Sequence, residues 1–439
     1  MSYSKTLSRL FFSSFPKNTS IPLFRSHIFN SQKSLSFTSN PNHRPCASFF
    51  STATFSSANN RFHKMTERTN VNVAIIGTGT IGGELINQIR DFNVTASQKG
   101  TPSFNVVAIT STRGYCISND YKPIDLTQWR NLHAQNQGAL SVDVLLDFLS
   151  SSPLPAIVVD NTSSDLVASS YPKFLAKNIS IATPNKKGFS ANADVYNSLV
   201  EASKTSNGHL MHEASVGAGL PIISTLKELI ATGDEILKVE GIFSGTLSYI
   251  FNVWSPNGKK GTASFSDIVK IAKENGYTEP DPRDDLNGMD VARKVTILSR
   301  LAGVQVESPS SFPVKSLIPK PLESAANADE FMAGLPNYDA EFAKIRDEAE
   351  KEGKVVRFVG EADVVNKSTL VKLEKYDASH PFANLQSSDN IIAFTTKRYQ
   401  ARPLVIIGAG AGPAVTAAGV LGDMIKIMSQ VRAGDAPSA

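Results

Sequence analysis

The segment VNVAIIGTGTIGGELINQIRDF, residues 71–92, constrains the fold more than any other part of this chain. It opens on a nearly continuous apolar run, passes through clustered glycines and continues with the spacing of an amphipathic helix. Gly77, Gly79 and Gly82 fit the pattern G-x-G-x-x-G. The first glycine permits a tight turn and the second lets backbone approach a pyrophosphate. The third lets helix and strand pack closely, while the helix N–H groups face the phosphate. Thr78, Thr80 and Ile81 fill the intervening positions and belong to the same cofactor-contacting turn. Alone, such a pattern recurs by chance. Here a strand precedes it, a helix follows, and FNVVAIT supplies a second strand. LPAIVVD and ISIAT continue the series around the helical stretch SDLVASSYPKFLAK. This alternation predicts an α/β, Rossmann-type doubly wound parallel sheet that binds a dinucleotide.

The end of the second strand separates the two nicotinamide cofactors. An acidic residue there would bond the ribose 2′-OH. The chain has Thr110, Ser111, Thr112 and Arg113 instead, which suits a 2′-phosphate and points to NADP, with NAD as the alternative. A solvated loop whose Arg113 touches nothing is the plainer reading. A second glycine cluster, LVIIGAGAGPAVTAAGV, has too little chain after it for another βαβ unit. It reads as a strand, turn and helix returning to the first domain, with Gly410 and Gly412 against the cofactor; a tightly packed structural turn is the plainer alternative for either glycine.

Charge distribution argues against a nucleic-acid partner. Residues 1–64 hold eight Lys or Arg and no Asp or Glu; removing them from 44 leaves 36 basic against 40 acidic residues. The body is therefore mildly acidic, and the basic balance belongs to the leading segment. Acid-free, rich in Ser and Phe, with Lys5 and Arg9 four apart, that segment has the composition of a mitochondrial transit peptide. Its competitor is a disordered extension upstream of a start at Met65, which would leave the protein cytoplasmic. No apolar run approaches the roughly 20 residues of a membrane span. Cys46 and Cys116 cannot build a disulfide framework or a thiolate zinc site. Of seven histidines only His209 and His212 are spaced H-x-x-H, and none forms H-E-x-x-H, which gives no support for catalytic zinc. His212 and His380 read as hydrogen-bonded structural residues, and Tyr249 and Phe251 as core.

The most informative stretch is GYTEPDPRDDLNGMDVARKVTILSRLAG, residues 276–303. Glu279, Asp281, Asp284 and Asp285 crowd around Pro280 and Pro282, which predict an extended loop. Asn287 or Asp285 could cap the helix that follows. Within it Asp290 and Lys294 share a face that continues through Ile297, Leu298 and Leu301, so the charged pair points inward. Arg293 and Arg300 occupy another, solvated face. A half-buried lysine beside carboxylates can give or take a proton. The plainer alternative is a surface ion pair worth about 0.3 to 0.5 kcal/mol. Like charges gathered in the loop favour the first reading, because an amino-bearing substrate would relieve them.

GYTEPDPRDDLNGMDVARK closely resembles the signature of homoserine dehydrogenases, particularly the short monofunctional fungal type. IVVDNTSS, ATPNKKGFS, HEASVGAGLPIISTL, GIFSGTLSYIFN, SFPVKSLIPKPLES and the GAGAG turn match in the same order, so the resemblance covers essentially everything after Met65. It implies reversible NAD(P)H-dependent reduction of L-aspartate 4-semialdehyde to L-homoserine, in threonine, methionine and isoleucine biosynthesis. Lys294 would be the proton donor, oriented by Asp290. Glu279 and Asp285 would hold the substrate ammonium, with Gly276 and Tyr277 beside them. Lys186 resembles the second essential lysine, near nicotinamide and substrate; Lys187 competes for that place. Asn161 and Thr162 resemble nicotinamide-side contacts. The family also binds a sodium ion through main-chain oxygens, which match Glu213, Val216, Ala218 and Leu220.

The resemblance further implies a homodimer built on an α+β substrate-binding and dimerisation domain. The expected division is 1–64 as the leading segment, 65–212 with 412–439 as the nucleotide domain, and 213–411 as the substrate domain. VVRFVG and STLVKLEKY should be strands of a mixed sheet there, with helices on one face. A dehydrogenase oxidising the same semialdehyde with phosphate would need a cysteine nucleophile. Cys116, just after the second strand, lies toward the adenosine end and does not serve. A cofactor sensor without turnover could have lost Lys294 and the carboxylates, all of which are present.

Overall fold

The computed structural model describes residues 69–431, with Asp435 and Pro437. The reading of residues 1–64, as transit peptide or as an extension before Met65, lies outside the described residues.

Seven strands build the first sheet. They are β1 (Val71–Ile76), β2 (Phe104–Thr110), β3 (Gly114–Ile117), β4 (Asn136–Gln137), β5 (Ala156–Asp160), β6 (Ser180–Ala182) and β7 (Leu210–Met211). Their order is β4-β3-β2-β1-β5-β6-β7. β1 pairs in parallel with β2 on one side and β5 on the other, and β6 and β7 continue the parallel run. Every residue of β1 is buried, as a parallel strand covered on both faces requires. The chain leaves β1 to opposite sides of the sheet, so a crevice opens at the carboxyl ends of β1 and β5. The sheet is not wholly parallel: β3 and β4 attach antiparallel. Only residues 111–113 separate β2 from β3, too few for a crossover, so a hairpin forms instead.

The second sheet comprises β8 (Ile236–Ile242), β9 (Lys354–Asp363), β10 (Ser368–Asp377), β11 (Asn390–Thr396) and β12 (Leu404–Gly408). Its order is β10-β9-β8-β11-β12 and every pair is antiparallel, where the sequence suggested a mixed sheet. Helices Gly245–Trp254, Phe265–Glu274, Met289–Leu301 and Asp339–Lys351 share one core with its strands. Gly360 in β9 lets the helix Met289–Leu301 come close, since a Cβ there would lie 2.2 Å from Val295 Cγ2. Gly360→Ala would push that helix away.

The last helix, Pro413–Gln430, packs back on the first sheet's helix Thr80–Lys99. Ala417, Val420, Met424 and Ile427 share a core with Leu85, Ile86, Ile89 and β1. Each larger aliphatic side chain buried there contributes about 2 kcal/mol. Among the described residues no helix is long and apolar enough to cross a membrane.

Candidate active site

At the carboxyl end of β1 the chain turns through Gly77 at φ +90°, where a Cβ would sit 2.9 Å from Thr162 Cγ2. A Cβ on Gly82 would fall 1.9 Å from the Gly77 carbonyl oxygen, so that glycine seats the helix on the turn. Nothing lies within 4 Å of a Cβ built on Gly79, which leaves its backbone open to a ligand. Gly79 also precedes the helix Thr80–Lys99 without a side-chain cap, so the first helical N–H groups stay available to an anion.

Across the turn stands Asn161, the residue after β5. Its Oδ1 and Nδ2 are both buried and meet no partner among the described residues. A buried primary amide without partners is rare in folded proteins. It fits a carboxamide-bearing ring docked against it, and so does the open Gly79 backbone fit a pyrophosphate. Ile81, Asn161 and Thr162 line a crevice of about 1040 Å³ between the two sheets; Gly77 and Gly82 act beneath its surface. Thr78 and Arg113 line a neighbouring hollow of about 530 Å³, together with Arg130, His133 and Gln137. Arg130 lies over the Trp129 ring at 4.6 Å, and the buried Trp129 indole N–H has no partner among the described residues. Trp129 and Arg130 were invisible as site residues, because the short helix Trp129–Ala134 reaches the glycine turn only through the β3–β4 hairpin.

The opposite wall carries the charged pair. Lys294 is 9% exposed and donates from Nζ to the Phe243 carbonyl at 2.7 Å. The same Nζ lies 2.7 Å from Asp290 Oδ2. Asp290 Oδ1 in turn lies 3.5 Å from Lys186 Nζ. One carboxylate therefore sits between two ammonium groups brought from different domains. Burial opposes ionisation of Asp290, but Lys294 and then Lys186 outweigh it and hold the carboxyl below its ordinary range. Lys187 points elsewhere, to Asp165 Oδ2 at 3.0 Å on the surface, so the structure brings Lys186 of the two to Asp290. An ammonium has three donors. Asp290 and Phe243 take two from Lys294, leaving the third for whatever enters the crevice.

The four loop carboxylates divide. Asp281 is held by Arg283 at 2.6 Å and leaves the crevice, whereas Glu279, Asp284 and Asp285 line it. Asp285 Oδ2 accepts the Glu279 N–H at 2.8 Å, so it braces the loop and does not cap the helix. Burial, and then the nearby charges of Glu279 and Asp290, push the Asp285 carboxyl up, against the hydrogen bonds it accepts. Asn287 takes the helix start, accepting from Met289 N at 2.8 Å. The prolines do not keep the whole loop extended: Arg283–Leu286 forms one helical turn, which Pro282 can precede because it needs no N–H there. Gly276 and Tyr277 line the crevice, with the Tyr277 carbonyl accepting from Thr246 Oγ1 at 2.6 Å and its ring against Tyr249.

Gly410 and Gly412 line the crevice from the third side. A Cβ on Gly410 would collide with the Asn390 amide at 2.0 Å, and Asn390 Nδ2 donates to the same Phe243 carbonyl that holds Lys294. Of the four proposed main-chain ligands only Ala218 reaches the crevice; Glu213, Val216 and Leu220 lie behind it. Arg300, expected in solvent, instead donates to the carbonyls of Phe189, Ala191 and Val306 and lies over Tyr196. With the Glu307 carbonyl as a fourth acceptor, this convergence suits a planar five-donor group. His212 is buried, stacked on Phe189 and bonded to Ser215; His380 accepts from Phe382 N. Cys116 is buried in β3, where burial pushes its thiol up to about 11.

A nucleotide turn facing a buried ammonium across one crevice defines an oxidoreductase that works with a nicotinamide dinucleotide. Two family models match in series: the NAD binding domain of homoserine dehydrogenase over residues 77–213, and homoserine dehydrogenase over residues 221–425. The homoserine dehydrogenase of Schizosaccharomyces pombe is 80% identical over 372 residues, spanning 85% of this chain and 99% of the relative. That of Saccharomyces cerevisiae is 53% identical over 363 residues, spanning 82% and 99%. A crystal structure of a Candida auris protein of unknown function is 49% identical, covers 82% of this chain and 98% of that one, and superposes with TM-score 0.77. The chain belongs to the homoserine dehydrogenase family.

Proposed function

We propose that this chain reduces L-aspartate 4-semialdehyde reversibly to L-homoserine, with Lys294 as the proton donor. The observation that carries the assignment of roles is the Lys186–Asp290–Lys294 cluster on the crevice wall opposite the unpartnered Asn161 amide. The bound nicotinamide cofactor supplies the hydride to the aldehyde carbon. The third N–H of Lys294 meets the aldehyde oxygen and delivers a proton as negative charge develops on it. Asp290 keeps that ammonium in place and, being held ionised, does not compete for the proton. Glu279 and Asp285 receive the substrate ammonium, while Lys186 stands toward the nicotinamide and the substrate. Asn161 and Thr162 hold the nicotinamide side, and Gly410 and Gly412 close over it.

The preferred cofactor in this proposal is NADP. Arg113 and Arg130 face one hollow beside Thr78 with no carboxylate among its lining residues, a setting for a 2′-phosphate. A sodium ion held by the main-chain oxygens of Glu213, Val216, Ala218 and Leu220 is also part of the proposal. Ala218 has φ +55°, which turns successive carbonyls apart, although Glu213 and Leu220 already accept N–H bonds from Val216 and Ile222. A thermal shift with sodium and not with potassium chloride would support it. The proposal also divides the chain into a nucleotide unit of 65–212 with 412–439 and a substrate unit of 213–411. A homodimer is favoured by the edge strand β12, whose Ile407 is 54% exposed, since uncovered apolar edges invite pairing. Light scattering on the full chain measures it.

The central test follows NADPH absorbance with L-aspartate 4-semialdehyde, using the full chain and its Lys294→Ala variant. Rapid oxidation that the folded variant loses is the expected result. Turnover retained by the variant removes Lys294 from its role, and no turnover with either cofactor sinks the enzymatic reading for this chain.

A further inference from the structure

Asp160, the last residue of β5, is completely buried, and no lysine or arginine forms an ion pair with it among the described residues. Its charge is met by neutral donors instead. Oδ2 accepts from Tyr171 Oη at 2.6 Å and from Asn185 Nδ2 at 2.9 Å. Oδ1 accepts from the Thr162 N–H at 2.8 Å. Thr183 Oγ1 donates to the Asp160 carbonyl at 2.7 Å, and Asn185 N–H donates to Thr183 Oγ1 at 2.9 Å. An apolar side chain could join two loops at this point without the penalty of burying a charge. A carboxylate does something an apolar contact cannot: each oxygen fixes the direction as well as the distance of its partners.

The two loops that it joins are both crevice walls. One oxygen grips Thr162, beside the unpartnered Asn161 amide. The other grips Asn185, the residue immediately before Lys186. Asn185 passes the restraint on, because its Oδ1 accepts the Lys187 N–H at 3.0 Å and its amide also donates to the Ser164 carbonyl at 3.1 Å. Lys186 is thus enclosed on its N-terminal side by a residue with four hydrogen bonds. Its own ammonium makes one long ion pair, 3.5 Å to Asp290. That long pair restrains the side chain only weakly, so the placing of the backbone from which it springs matters the more. Tyr171 is sealed within the network; burial, and then the Asp160 charge, raise its hydroxyl well above the ordinary value, so it remains a donor.

We propose that Asp160, with Tyr171, is a positioning residue for the reduction, registering Lys186 against Asp290 through Asn185. The inference rests on the reading of Lys186 as the substrate-side lysine. Asp160 and Tyr171 touch neither substrate nor cofactor; their effect passes through Lys186. A displacement of about 1 Å in a reacting arrangement can cost about a hundredfold in rate, and loss of one of the three carboxylate bonds should produce a fraction of that.

The experiment uses the full chain and four variants: Tyr171→Phe, Asp160→Asn, Lys186→Ala and Lys186→Ala with Tyr171→Phe. Melting temperature, NADPH affinity by fluorescence, kcat and KM are measured for each. Tyr171→Phe, the mild change, should lower kcat about fivefold and leave NADPH affinity within twofold. In the Lys186→Ala background the same change should alter kcat less than twofold, because its route of action is already gone. Asp160→Asn should fall further than Tyr171→Phe; should it fail to fold, Tyr171→Phe and its double variant still decide the matter. An equal kcat penalty from Tyr171→Phe with and without Lys186 overturns the proposal, as does a Tyr171→Phe enzyme with unchanged kcat. Full activity in Lys186→Ala overturns the underlying reading of Lys186 first and the positioning role with it.

Discussion

Two ionic clusters in this protein are built as opposites. In the crevice, one carboxylate, Asp290, stands between two lysines, and the surplus positive charge is met by the Phe243 carbonyl. Beneath the last helix, two carboxylates, Glu213 and Asp423, share one lysine, Lys426, at 3.4 and 3.3 Å. The rest of their negative charge is met by backbone N–H groups and by the nearby charge of Lys227. Glu213 accepts from Ile223 and Ser224 at the start of the helix Ile222–Ala231, and Asp423 accepts from Glu213 N at 2.7 Å. The carboxyls respond in opposite directions. The lysines hold Asp290 down, whereas burial, only partly offset by Glu213 N–H and Lys426, pushes Asp423 up to about 6. The lesson is about completeness. In the acidic cluster the carboxylate oxygens are met by backbone N–H groups and Lys426, and the cluster ties the last helix to the segment behind the crevice. The cationic cluster keeps a donor unspent and faces open space.

The sharpest way to break this contrast is to remove each cluster's central carboxylate. Asp290→Ala should lower kcat by about a thousandfold, within the usual range for disabling a positioned acid–base group, while NADPH affinity persists; steady-state kinetics and a binding titration measure both. Next in size, Asp423→Ala should lower unfolding stability by about 2 kcal/mol, as expected when a buried N–H loses its acceptor. Its kcat per folded molecule should stay within twofold, which denaturant melts combined with activity assays would reveal. If Asp423→Ala instead loses activity as steeply as Asp290→Ala, the two clusters are not functionally distinct.

A third cluster, Arg113 and Arg130 beside Thr78, sharpens the same idea, since it too is cationic and open. Arg113→Ala should raise the KM for NADPH about tenfold, the size of one charge-assisted bond to a phosphate, and leave NADH unaffected. The smallest effect concerns pH. Because the Asp285 carboxyl is raised, it takes up a proton at a higher pH than an ordinary carboxylate. The ionised form is the one that attracts an ammonium, so affinity is present above that pH and is lost as pH falls through it. The KM for homoserine should therefore climb by a few-fold on acidification, earlier than an ordinary carboxylate would give. Asp285→Asn should have a high KM that no longer varies with pH over that range.

Legibility in the sequence followed the range of the interaction. Gly77, Gly79 and Gly82 could be interpreted individually because each answers a local steric demand. Asp290 and Lys294 could be paired because four residues of helix put them on one face. Arg300 was misjudged by the same helical logic: its partners Phe189 and Ala191 are carbonyls more than a hundred residues away. The antiparallel β3 was foreshadowed only by the shortness of its connection to β2. Trp129, Arg130, Asp160 and Asn390 gave no signal as site residues. They act through contacts with segments that helix or strand periodicity does not reach.

The sequence by itself determined the nucleotide turn, the alternation that makes the central strands parallel, and the helical face bearing the lysine and its carboxylate. Each depends on residues within a few turns of one another, where backbone geometry and side-chain spacing suffice. Tertiary structure alone decided that Lys186 and not Lys187 meets Asp290, that the Phe243 carbonyl anchors Lys294, and that Asp160 binds two crevice loops. Those choices turn on carbonyl directions and on which distant loops come together. Neither leaves a mark in residue type, because every residue has a carbonyl and only the packed fold gives it an orientation.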